Sequence, residues 1–104
     1  MLHIKATAVR FTEAEAYPGW VECRFLDAFG KEWIFEEKCP YVAEQIFPGA
    51  QFPQDAAIPC EQTDEHKDAE GRSLVTVTTL RPIWIEAITG ESVFVVLREQ
   101  LIDS

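Results

Sequence analysis

Few residues in this chain have types and spacing that could do chemistry. Asp64, His66, Asp68 and Glu70 fall at alternate positions and offer the oxygen ligands a calcium ion takes. An EF-hand loop needs glycine at its sixth position and glutamate at its twelfth, between two helices. Here Gly71 comes two places late, the twelfth position is Val75 and the flanks read as strands. The segment is therefore expected to be a solvated hairpin loop. His3 and His66 are isolated, without His-x-His or His-Glu-x-x-His spacing, and no Gly-x-Ser-x-Gly occurs. Glu13/Glu15 and Glu36/Glu37 are neighbours of the kind that do acid–base work, but 18 acids in 104 residues make such neighbours common. Catalytic groups can also assemble from distant strands, which sequence does not display. The reading leans away from an enzyme and assigns no catalytic residue, metal ligand or cofactor.

Cys23, Cys39 and Cys60 form no Cys-x-x-Cys or His-x-Cys arrangement, so neither zinc nor a redox dithiol is signalled. Cys23 falls on the apolar face of a strand pattern and reads as a core residue. Cys39 precedes Pro40 and Cys60 follows Pro59, which leaves either one free to be more exposed. A reactive thiol needs a cationic neighbourhood, and only Lys38 offers one.

The aromatic residues are the better lead. Trp20, Trp33 and Trp84 are each expected in a strand and packed in the core. They follow Gly19, Glu32 and Ile83, not the basic residues that interleave with aromatics in a single-strand binder. Phe29 lies in the turn Asp27-Ala28-Phe29-Gly30 and has no strand face to hide on. With Tyr17, Tyr41 and Phe52 in other loops it marks a candidate partner surface. Asp64, Glu65, Asp68 and Glu70 add an acidic loop to that surface.

The elements that must carry these residues are strands. Pro18 to Lys38 forms the organising hairpin: Val21, Cys23 and Phe25 share one face, and Trp33 and Phe35 continue it across the turn. Leu2 to Phe11 alternates in the same way, and Thr12 to Tyr17 reads as a loop. Cys39 to Gln54 contains Pro40, Pro48 and Pro53, which forbid a long helix and a central strand alike. It is expected to cover one barrel end, with a helical turn around Val42 and Ile46 and anchors at Tyr41, Phe47 and Phe52. Ala57 to Thr63 is a short strand that Pro59 confines to an edge or a bulge, and Asp64 to Arg72 is its exposed hairpin loop. Ser73 to Arg81 is the strongest strand by β-branched content. Ile83–Ile88 and Ser92–Leu97 are expected to pair around Thr89-Gly90-Glu91. Arg98 to Ser104 reads as a polar tail that starts as a helical turn, with Leu101 and Ile102 able to dock on the core.

The run Pro18-Gly19-Trp20-Val21-Glu22-Cys23-Arg24-Phe25, the turn Asp27-Ala28-Phe29-Gly30-Lys31 and the exit Phe35-Glu36-Glu37-Lys38 resemble small stand-alone bacterial β-barrel proteins of uncharacterised function. That resemblance covers the central quarter of the chain. It implies the fold and a bacterial source, and it carries over no catalytic residue.

These elements predict one domain over residues 1–104, all-β. The architecture is a small, mostly antiparallel β-barrel or closed sandwich of about seven strands, with one long irregular loop and at most short helical turns. The net charge of −9 is the wrong sign for phosphate backbones and anionic membranes. It suits a basic protein partner. The first residues lack the apolar core of a secretory signal, so the expected address is cytoplasmic. The expected state is a monomer or a weak homodimer. The function expected on these grounds is non-catalytic protein binding, in concrete form an acidic immunity or antitoxin-like protein. The alternative is a small-molecule-binding or enzymatic barrel with its site near residues 39–54.

Overall fold

The computed structural model describes residues 1–13, 19–43, 49 and 51–103. They form seven strands in an antiparallel sheet curled into a half-barrel. The strands are β1 (Leu2–Glu13), β2 (Trp20–Leu26), β3 (Glu32–Lys38), β4 (Gln54–Lys67), β5 (Ser73–Thr78), β6 (Val93–Leu97) and β7 (Leu101–Asp103). One helical turn, α1 (Cys39–Val42), follows β3, and a 3-10 turn at Arg98–Gln100 precedes β7. The spatial order is β3-β2-β1-β4-β5-β6, with β7 beside β1.

Alternation decides which faces are buried. Ile4, Ala6 and Ala8 of β1 face the core, as do Val21, Cys23 and Phe25 of β2 and Phe35 of β3. β1 and β4 are the long strands; β4 serves two partners and β1 three. Leu2–Ala8 pairs with β4, while the stretch from Thr7 to Glu13 pairs with β2. Register shifts near Arg10 and Phe11 accompany that change of partner, the local bending that bulges provide. β4 then leaves β1 after Cys60 and pairs with β5 from Glu61 onward. The sheet folds over at this point, so that β5 and β6 pack back across β2 and β3. Phe94 of β6 seals the contact, with ring centroids 5.4 Å from Phe25, 5.6 Å from Phe35 and 5.0 Å from Trp33. Edge-on and tilted contacts of this kind add to the area the rings bury.

The two hairpin turns share one design. Asp27 Oδ1 accepts the Phe29 and Lys31 amides, and Asp68 Oδ1 accepts those of Glu70 and Arg72. Each turn closes on a glycine with positive φ, Gly30 at 82° and Gly71 at 83°. Asp-Ala-x-Gly followed by a base thus writes the same turn twice, with a side-chain acceptor fixing the backbone that glycine permits. At the half-barrel's open side the Ala28 amide donates to Val95 O and the Ile88 amide to Ile34 O, both at 2.9 Å. These bonds tether the free edges of β6 and β3.

Several expectations need correction. Ile83–Ile88 is no strand: β6 pairs with β5, and residues 79–92 form a long connection between them. The buried Thr79 hydroxyl donates to Ile85 O at 2.6 Å and holds this strap where a hairpin was expected. The seventh strand is β7 at the chain end, because Leu101 packs on the core and Leu2–Ile4 offers an open edge. The expected loop from Asp64 shrinks to a turn over residues 68–72, since polar residues 61–67 continue β4 along β5. Pro59 is buried within β4, which over residues 54–60 pairs with β1 alone, the edge position a proline requires. Ile46 and Phe47 lie outside the described residues, and the helical turn sits earlier, at Cys39–Val42.

Candidate functional site

The acidic candidates fall together. From Glu61 to Lys67 every residue of β4 is exposed, and this stretch forms with the 68–72 turn a solvated arm paired with the buried β5. Asp64, Glu65, Asp68 and Glu70 all stand on this arm. Arg72 Nε donates to Asp68 at 2.7 Å, and Arg98 pairs with Glu65 at 2.9 Å. Hydrogen bonds from the Arg72 backbone and guanidinium hold the Asp68 carboxyl below its usual range. Asp68 therefore fixes the turn. Asp64, Glu61 and Glu70 are left to shape the surface field: Asp64 accepts the Glu65 amide at 2.8 Å, and the ion pairs are long, 3.6 Å from Glu61 to Arg81 and 3.7 Å from Glu70 to Arg72. Chemically the arm is an anionic ridge.

The aromatic candidates do not share one place. Phe29 is 68% exposed at the β2–β3 turn, where the neighbouring amide meets β6. Tyr41 is exposed on α1, at the opposite end of that hairpin. Phe52 is half-buried edge-on against Phe11, with ring centroids 5.2 Å apart. Tyr17 lies outside the described residues. Trp20 and Trp33 are in strands, as expected, but only half-buried, Trp33 packed on the core, with Lys38 and Lys31 over their rings. Trp84 departs from expectation. It sits in the strap, not in a strand, and is 71% exposed.

Two glutamates and the cysteines surround the core. Glu22 is buried on the outer face of β2, each carboxylate oxygen bound by one arginine, Arg10 at 2.9 Å and Arg24 at 2.6 Å. The Arg24 bond holds its carboxyl below the usual range in spite of burial. Glu37 is opposite Val21, so it points toward the core beside the start of α1. Burial holds its carboxyl above the usual range. Cys39 and Cys60 are both buried, because α1 turns Cys39 inward and β1 covers Cys60. Burial pushes the Cys23 and Cys60 thiols up to about 12 and raises Cys39 as well, so these are inert thiols.

Sequence reasoning missed the strap residues Trp84, Glu86 and Ile88. The signal was available: Trp-x-Glu-x-Ile after a proline alternates like a strand, but its partner β6 was already claimed by the stronger β5. An open depression of about 340 Å³ lies between Arg72, Ser73, Leu97, Arg98 and Glu99, and both guanidiniums are engaged by carboxylates. Among the described residues no three of His, Cys, Asp and Glu stand close enough to hold a metal ion. No helix among them is long and apolar enough to cross a membrane. Compared with family models, curated proteins and solved structures, the chain matches none, so the chemistry of its own surface is what speaks for its function.

Proposed function

We propose that this protein is a non-catalytic binding module whose partner is a basic protein. In its concrete form it is an acidic, cytoplasmic immunity or antitoxin-like protein that covers the cationic face of a nuclease or toxin. The observation that carries the reading is the solvated arm, on which residues 61–70 are all solvent-facing except the half-buried Asp68, with five carboxylates among them. A net charge of −9 extends that field over the whole molecule. Such a surface speeds encounter with a cationic partner and turns away nucleic acid and anionic lipid. Phe29 and Tyr41 add exposed rings at opposite ends of the β2–β3 hairpin, and Phe52 a half-buried one against Phe11. The charged, two-sided polar outer stretch of β4 resists pairing with another edge, which favours a monomer or weak homodimer.

The test is affinity capture from the native host's lysate at low and at moderate salt. The expected result is a stoichiometric basic protein that leaves as salt rises. A partner retained equally at both salts would sink the electrostatic reading. A second reading, a ligand-binding or enzymatic barrel with its site near residues 39–54, is favoured by one observation, the core-facing Glu37. A metabolite that raises the melting temperature of the wild type but not of Glu37→Gln would support it.

A further inference from the structure

We propose that the strap between β5 and β6 carries a docking site for a lysine or arginine side chain of the partner, built by Trp84 and Glu86 and continued by Ile88 and Ile34. This rests on the reading that the partner is a basic protein, and it adds where and by what chemistry that protein is gripped.

The strap is held at both ends. The Ile85 amide donates to Thr79 O, the Thr79 hydroxyl to Ile85 O, the Ala87 amide to Glu91 O and the Ile88 amide to Ile34 O. Ile85 and Ala87 turn inward and are buried, so Trp84, Glu86 and Ile88 turn outward. Large apolar residues held out on a fixed backbone lose little freedom on binding. Ile88 is 63% exposed and its backbone bond places it against Ile34 of β3.

Glu86 joins the parts. One carboxylate oxygen accepts the Trp84 indole N–H at 2.6 Å, and the other faces Gly90 of the turn that carries Ile88. The indole is thus fixed by its edge, with a negative charge beside it. Trp33 has Lys31 at 4.3 Å from its ring centroid and Trp20 has Lys38 at 5.7 Å. Among the described residues no cation stands over Trp84. A ring with an exposed face and an adjacent carboxylate attracts a cation twice, through its quadrupole and through the charge.

The surroundings select the same occupant. Glu36 follows Ile34 on the outer face of β3, and Glu91 closes the strap's turn. Among the described residues no lysine or arginine pairs with Glu36, Glu86 or Glu91, whereas Arg24 is already bound to Glu22 and Glu32. A second copy of this chain, itself at −9, would be repelled. A basic segment that alternates cationic and apolar side chains fits both the rim and the isoleucines.

The test is a titration of the full chain, labelled for indole and backbone NMR, with an acetylated, amidated pentapeptide of alternating arginine and leucine at low salt. The expected result is saturable shifts of the Trp84 indole and Ile88 amide, with the Trp20 and Trp33 indoles unmoved. Trp84→Ala should weaken binding about fivefold, the worth of a partly exposed cation–π contact, and Glu86→Gln by a smaller factor. Both residues are exposed, so both variants keep the fold. Saturable shifts confined to residues 61–70 and indifferent to Trp84→Ala would overturn this site and leave the basic-partner reading standing. No shift anywhere would overturn both. Equal shifts of Trp84 with a glutamate-leucine peptide or with oligo(dT) would overturn the cation chemistry.

Discussion

Glu22 lies on the outer face of β2 between Arg10 and Arg24, and Glu37 points from β3 toward the core opposite Val21. Their ordinary value is 4.5, and the fold moves them in opposite directions. Glu22 is lowered, so its contribution is complete at neutral pH and is lost as pH falls below 4.5 through its folded value. Glu37 is raised, so it contributes nothing where both states are protonated and costs stability as pH rises above 4.5. Urea unfolding should therefore separate two conservative changes. Glu22→Gln should lose about 1–2 kcal/mol at neutral pH, because the two arginines it leaves can rehydrate. That loss should shrink in acid. Glu37→Gln should match the wild type in acid and be at least as stable at neutral pH. If both variants lost stability equally at neutral pH, the placement of Glu37 would be wrong. The strand pattern put Phe35 inward from sequence, and period 2 then places Glu37 inward with it. What it could not show was whether a cation waited there.

At the scale of elements, legibility followed local bonding. The β2–β3 hairpin was readable because Asp27, Gly30 and the alternation on both sides act within a dozen residues. The same turn at Asp68-Ala69-Glu70-Gly71 was obscured by charge: polar residues on both faces of β4 read as loop, although β5 alone supplies their ladder. The strap was illegible because its determinant is Thr79, a polar residue with no exposure, gripping a carbonyl six residues on. Thr79→Val keeps the shape and removes that bond. It should cost about 1–3 kcal/mol by leaving the buried Ile85 carbonyl without this donor. Amide exchange at Ile85 and Ile88 should quicken more than in the middle of β5. Uniform quickening across β5 and β6 would mean that Thr79 supports the sheet as a whole and does not specifically hold the strap.

The whole molecule is elongated, 47 × 27 × 23 Å, with the exposed outer stretch of β4 running along the buried β5. Composition foretold the sign of its field, and the sequence put Asp64, Glu65, Asp68 and Glu70 in one acidic stretch, but neither showed that Phe29, Tyr41 and Phe52 separate. Facing and distance are tertiary properties, and three loops of an alternating chain can close at either end of a barrel. The central claim is that charge on this arm and its surroundings binds a basic protein. The most direct measurement is calorimetric titration of the captured partner at two salt concentrations, with the wild type and with Asp64→Asn/Glu65→Gln/Glu70→Gln, which spares the turn-forming Asp68. The account predicts that raising salt from about 0.05 to about 0.2 M weakens the wild type roughly tenfold or more, and that the triple variant binds more weakly with a shallower salt dependence. Equal affinities for wild type and variant, unchanged by salt, would contradict it.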